Sequence, residues 1–240
     1  MRKTVVFLSL VALAIPVFAA QIEAYDAGRP DFAGHIQMGA PTRGTIVYDD
    51  TTTATSAYAQ PGGTEIGDEL DLNTALYPVG GPPWHVDSVG WSVYNKTGNA
   101  TLATVDMLIK FYDVTNYLNP VLLGGLNFGT QTVNLAGGYY STYSATGLAV
   151  NGIPVPANGY LLASLTLSNP SNGQQVGQVL ANPPTVGSST NDFWKGPPPG
   201  SWLWFGSTGP VANFYWKIDI TPEPASLFLI AGGLLFLRRR

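Results

Sequence analysis

The chain has 240 residues, no cysteine, 11 basic and 15 acidic side chains, and an unusually small charged fraction. Without cysteine there is no disulfide, no thiol nucleophile and no thiolate metal site, so any fold rests on its apolar core alone. Between the termini six bases (Arg29, Arg43, Lys96, Lys110, Lys195 and Lys217) stand against fourteen acids, a formal charge of −8. That sign repels phosphate backbones and argues against a nucleic-acid partner.

The 28 glycines and 19 prolines leave little material for amphipathic surface helices and favour short strands. At the amino terminus Arg2 and Lys3 precede an apolar run from Thr4 to Phe18, interrupted by Pro16 and closed by Val17, Phe18 and Ala19. A basic start, a short apolar run and a small-residue site predict a secretory signal peptide over 1–19, cut after Ala19 or alternatively Ala20. Residues 20–43 hold Gly28, Pro30, Gly34, Gly39 and Pro41 with no sustained period, which predicts an extended or loosely ordered lead-in.

From residue 44 to 220 the pattern is that of strands. Thr45–Tyr48 is a short one, and 51–59 is a polar, alternating edge strand. Glu65, Asp68, Glu69 and Asp71 are interleaved with Ile66, Leu70 and Leu72. Four carboxylates in seven residues offer the oxygen ligands a calcium ion takes, although the spacing is not that of an EF-hand; a solvated strand edge is the plainer account. Residues 86–94 alternate, with Val89, Trp91 and Val93 on one face. The polar stretch Asn95–Asn99 then predicts a hairpin into the next strand, whose Ala103, Val105, Met107, Ile109 and Phe111 point inward while Thr104, Asp106 and Lys110 face water. Short strands follow over 121–128, 130–135, 139–149, 160–168 and 174–180. A long loop over 182–200 leads to strands at 202–205 and 214–220. Many short strands with regular turn signals predict an all-β, antiparallel β-sandwich, jelly-roll-like in topology.

Catalytic chemistry is sparse. His35 and His85 are the only histidines, too few for a three-histidine zinc site, and no nucleophile elbow is present. Asp106 and Asp113 are the carboxylates a glycoside hydrolase would need to pair, without a pattern that singles them out. Trp194, Trp202, Trp204, Phe205, Tyr215 and Trp216 crowd the carboxyl-terminal strands. Trp216 alternates with core residues, whereas Trp194 and Trp202 are candidates for exposed platforms on which a sugar stacks.

The last twenty residues differ from all this. Pro222, Glu223 and Pro224 precede an apolar run from Leu227 to Leu237, which ends on Arg238, Arg239 and Arg240. The uncharged stretch from Ala225 to Leu237 is thirteen residues, which as helix cover roughly 20 Å, short of a hydrocarbon core of about 30 Å. The terminal arginines would hold that end in the cytoplasm and the rest of the chain outside. Tripeptide, apolar run and arginine cluster, in that order, resemble the PEP-CTERM sorting signal of Gram-negative bacteria, here over 221–240. The stretch from Gly67 to Leu70 and the later Phe111, Tyr112 and Asp113 look like the β-rich domain common in proteins that carry this signal.

The resemblance implies a client of exosortase, a membrane-embedded cysteine protease, with the tripeptide as substrate and no catalytic group in the chain itself. It implies signal peptidase and a transient hold on the cytoplasmic membrane, then delivery to the cell envelope, cell surface or extracellular matrix. A non-enzymatic structural or adhesive role, without cofactor unless calcium binds, is the leading expectation. A carbohydrate-binding module for extracellular polysaccharide, or a glycan hydrolase, are the alternatives.

Overall fold

The computed structural model describes residues 21–22, 30–38, 44–77 and 83–223. The signal peptide expected over 1–19, and Pro224 with the apolar and arginine segments after it, lie outside the described residues. Among the described residues no helix is long and apolar enough to cross a membrane.

The described residues fold into fourteen strands: β1 (Gln21–Ile22), β2 (Asp31–Met38), β3 (Thr45–Asp49), β4 (Ala54–Ala59), β5 (Glu65–Asp71), β6 (Trp84–Asn95) and β7 (Thr101–Asp113), then β8 (Val121–Ala136), β9 (Tyr139–Thr146), β10 (Tyr160–Ser168), β11 (Val176–Ala181), β12 (Phe193–Lys195), β13 (Ser201–Trp204) and β14 (Lys217–Pro222). They form two largely antiparallel sheets. One runs β1-β13-β12-β5-β10-β7-β8; the other runs β2-β9-β6-β11-β4, with β14 paired to both β3 and β6. Period-two alternation gives each sheet one apolar face, and the two faces meet in a single core. Val89, Trp91 and Val93 of β6 lie there with Val105, Met107, Ile109 and Phe111 of β7 and with Trp216, Ile218 and Ile220 at the carboxyl end. Trp91 is stacked between Phe128 and Tyr143, with ring centroids 5.1 and 5.6 Å away. The architecture is a β-sandwich.

Several expectations change. β6 and β7 are not a hairpin: β6 pairs with β9, β11 and β14, and β7 with β10 and β8, so residues 96–100 cross from one sheet to the other. Two adjacent strands with equally apolar faces are satisfied face to face across the core as well as side by side, and period alone does not choose between them. Ala103 does not point inward. The register of β7 against β8 shifts between Leu102 and Thr104, so Leu102 is buried and Ala103 partly exposed. The two short segments expected over 121–135 are one strand, β8, kept against β7 through three such irregularities, with Gly129 at φ +59 beside one of them. Within the lead-in, β2 takes the extended form and lies parallel to β9 as an exposed edge strand. The loop over 182–200 contains β12.

The ends of the sandwich are distinct. At one, Asp71 of β5, Tyr160 and Leu161 of β10, and Asp113 and Val121 at the ends of β7 and β8 lie in adjacent register. The opening of β6 is at that same end, because Tyr77 meets Trp84 edge-on (6.1 Å) and the Tyr77 hydroxyl donates to the Pro156 carbonyl. β14 finishes there as well, with Pro222 opposite Trp84 and the Glu223 amide donating to the Pro83 carbonyl (2.8 Å).

Candidate functional site

The acid-rich strand β5 is not a solvated edge. It lies between β12 and β10, and Glu65, Asp68 and Glu69 are all buried. Alternation divides the acids between its faces. Asp68 points with Ile66 and Leu70 into the sandwich, while Glu65, Glu69 and Asp71 take the outer side. Glu65 is fully engaged there, accepting from the Lys110 ammonium (2.8 Å), the Tyr112 hydroxyl (2.6 Å) and the Ser164 hydroxyl (2.6 Å). Burial, followed by the Glu65 hydrogen bond and charge, raises the Tyr112 phenol well above its ordinary value.

The tryptophans expected to be exposed are not. Trp194 sits on the outer face of the β5 sheet but is wholly buried, in a small second core with Tyr112, Val114 and Leu162. Its own hairpin covers it. A Cβ on Gly196 would lie 2.2 Å from the Trp194 ring, and one on Gly200, at φ +65, would lie 2.1 Å from its Nε1. Glycine is needed at both places so that the turn through Pro197, Pro198 and Pro199 can close on the indole. Trp202 is half-buried, stacked on Tyr117 at 3.9 Å, with its Nε1 donating to the Tyr117 carbonyl (2.8 Å). Both rings are already used by the protein, Trp194 entirely, so the pair does not form the sugar platform expected. Gly200→Val should push the turn off Trp194 and cost about 1–3 kcal/mol by overpacking. Acrylamide quenching of tryptophan emission should rise in the folded variant; unchanged quenching would mean that the turn is not what covers the ring.

Where β12 stops short, the segment from Ser188 to Asp192 takes its place along β5. Ser188 and Asp71 exchange backbone hydrogen bonds (2.8 and 2.9 Å), and the Ser188 hydroxyl donates to the Asp71 carboxylate (2.8 Å). Ser189 donates to Asp68 (3.0 Å), whose other oxygen receives the Phe214 amide (2.8 Å). Thr190 donates to Glu69 (3.4 Å) and to Asp192, and Asp192 also receives the Tyr117 hydroxyl. Each hydroxyl of this run thus meets an acid of β5, Thr190 meeting Asp192 as well, and the segment acts as a clasp. None of Asp50, Ser189, Asp192 or Tyr117 stands out by spacing, although the run of hydroxyls at 188–190 is a legible sign of carboxylate partners.

The electrostatics are those of carboxyls kept from water. Burial, then the Asp192 charge, pushes Glu69 up to about 7. Burial raises Asp68 far more than its two hydrogen bonds lower it. Asp50, which follows β3, is wholly buried, and neither of its carboxylate oxygens has a hydrogen-bond partner among the described residues. Burial first, and the Asp49 charge second, push it up to about 7. Burial thus brings the titrations of Glu69 and Asp50 towards neutrality.

Among the described residues no group of three or more histidine, aspartate or glutamate side chains is placed to hold a metal ion. The calcium site weighed for Glu65, Asp68, Glu69 and Asp71 is therefore not assembled. The strand's two faces separate the acids, and serine, threonine, tyrosine and lysine partners occupy them.

The remaining candidates are dispersed. His35 on β2 hydrogen-bonds Thr142 (2.9 Å) and Ser144 (3.2 Å). His85 lies on β6 opposite Thr221. Asp106 accepts from Thr130 and Asn169 on an exposed face, and Asp113 receives the Thr115 amide and hydroxyl in a local turn. Of the residues expected to form a sorting motif, Pro222 and Glu223 are placed at the end of β14, while Pro224 and the arginines Arg238, Arg239 and Arg240 lie outside the described residues. Set against known proteins, the chain matches no protein family, no curated protein and no solved structure.

Proposed function

We propose that this is an exported, exosortase-processed protein of the cell envelope or exopolysaccharide matrix, with a structural or adhesive rather than catalytic role. The observation that carries the reading is where the fold stops. β14 is held on both sides, by β3 and β6, and its last paired residue is Pro222, the first residue of the Pro-Glu-Pro motif. Ile218 and Ile220 complete the core within that strand. A processing enzyme cutting near the motif would leave the sandwich intact, which is what a client of a sorting protease needs. We read the topology as jelly-roll-like, since neighbours such as β5 and β12, or β6 and β14, come from distant parts of the chain. The buried carboxylates fit a domain that keeps its acids for itself.

Mass spectrometry of protein extracted from the surface of producing cells tests the reading. The expected result is a chain that begins at Gln21 or Ala20 and lacks the apolar run from Leu227 onward. Replacing Arg238, Arg239 and Arg240 together with serine should release uncut protein into the periplasm or medium, because the remaining run is too short to be retained by hydrophobicity alone. Recovery of an intact tail peptide from wild-type surface material would overturn the assignment.

A further inference from the structure

The exposed apolar side chains of the domain are not scattered. Among the described residues eight large hydrophobics are markedly exposed, and five of them, Leu76, Leu118, Val121, Leu122 and Tyr160, belong to one end of the sandwich. Register fixes this. Val121 pairs with Asp113, Leu122 with Tyr112 and Tyr160 with Asp71, and Leu118 lies in the turn between β7 and β8. Leu76 follows β5 in the short helical turn Thr74–Leu76, whose neighbour Tyr77 touches Trp84. Leu118, Val121 and Leu122 are 54–57% exposed. Phe32 and Tyr139, by contrast, sit at the opposite end, where β2 and β9 begin and the Gly138 amide donates to the Asn95 carbonyl.

The same apolar end is where β14 finishes. Glu223 is bound to Pro83 there, and the apolar tail follows it directly in sequence. We infer that this end of the sandwich is a lipid-facing rim: while the tail is in the membrane, Leu118, Val121, Leu122, Tyr160 and Leu76 rest in the headgroup region. The inference depends on the reading above that the tail enters the membrane. Branched aliphatic side chains around a tyrosine suit an interface that is apolar at one level and wet at the next. The charges agree with an uncharged mode of contact. The described segments gathered at this end (44–46, 71–77, 83–87, 113–122, 153–160 and 221–223) contain acids such as Asp71, Asp113 and Glu223 and no lysine or arginine. Anionic headgroups are therefore not what holds it, and added salt should not release it. A second copy would have to cover the rim while leaving room for two tails emerging beside it, which favours lipid as the occupant.

The absence of cysteine makes the test direct. The full chain, carrying Leu118→Cys, Leu122→Cys, Tyr160→Cys, Asn99→Cys or Leu229→Cys one at a time, is labelled with an environment-sensitive fluorophore. It is then reconstituted into phosphatidylethanolamine–phosphatidylglycerol vesicles that hold nitroxide lipids. The expected result is severalfold stronger quenching by headgroup-level nitroxide at 118, 122 and 160 than at 99, unchanged in high salt, with position 229 quenched by deep nitroxide. Quenching at 229 with the rim no different from 99 would overturn the rim while leaving the membrane tail standing. Absence of quenching at 229 would overturn the tail reading and the rim with it. Energy transfer between labelled copies at 122, without lipid quenching, would assign the rim to self-association instead and also overturn the inference.

Discussion

Ile109→Asp is expected to unfold the domain or lower its denaturation midpoint steeply, and Asp106→Asn, three residues earlier on the same strand, to leave it almost unmoved. Ile109 has no exposed surface and lies in the centre of β7, paired with Leu165 of β10 and Leu126 of β8. A carboxylate there has no cation to pair with, and an uncompensated buried charge costs about 3–5 kcal/mol or forces protonation. That is a large share of the roughly 5–15 kcal/mol that holds a domain together, and no disulfide limits the unfolded chain. Asp106 is partly exposed on the outer face of the strand, and its contacts to Thr130 (2.5 Å) and Asn169 (2.6 Å) survive in part when one oxygen becomes an amide. Thermal melts of the full-length variants in detergent give the comparison. Equal, small shifts would mean that β7 does not have the buried face described here.

That strand is also where sequence and structure agree most closely. Val105, Met107, Ile109 and Phe111 alternate over enough residues to mark their face for the core, and the structure buries it. Pairing was less legible than strandedness. The five residues after β6 look like a hairpin turn, because Asn, Gly and Lys are turn residues wherever the chain reverses. Whether the chain reverses within a sheet or crosses to the other depends on β9, β11 and β14, which arrive later in the sequence. In the same way β2 reads as irregular because its Gly34 and its exposed side chains give no period. It becomes a strand only through its parallel pairing with β9.

The candidate residues show the same division. Trp216 was placed in the core by its alternation, and it is there. Trp194 reads as a loop residue among prolines, and its burial follows from a second apolar cluster on the outside of the sheet, built with Tyr112, Val114 and Leu162 from strands far away in sequence. No local pattern announces a core outside the core. The acids of β5 were conspicuous by number, but their burial depends on β12 and the hydroxyl run at 188–190, more than a hundred residues onward. The rim around Leu122 was invisible for the opposite reason: its residues are individually ordinary, and only the register of four strands collects them.

Acidification from pH 8 to pH 5 is expected to raise the thermal midpoint, the reverse of ordinary acid denaturation. Asp50 is pushed up to about 7 by burial and by Asp49, and Glu69 up to about 7 by burial and by Asp192, while their unfolded values are those of ordinary carboxyls. Asp68 is raised too, by burial above all. A native state that holds protons the unfolded chain has released is favoured as pH falls. The stability that Asp50 and Glu69 contribute is therefore complete below about pH 4 and is lost as pH rises through about 7. For Asp50, a shift of about three units corresponds to roughly 4 kcal/mol, on the order of 10 °C for a domain of this size. Asp50→Asn removes the titration, since an amide of the same shape stays neutral at every pH. The variant should melt above the wild type at pH 8 and close to it at pH 4, with a correspondingly flatter profile. Melts across that range decide the matter. A wild-type midpoint that falls steadily from pH 8 to pH 5, or an Asp50→Asn variant with an unchanged slope, would show that the buried carboxyl is ionised in the native protein and neutralised by a partner other than a proton.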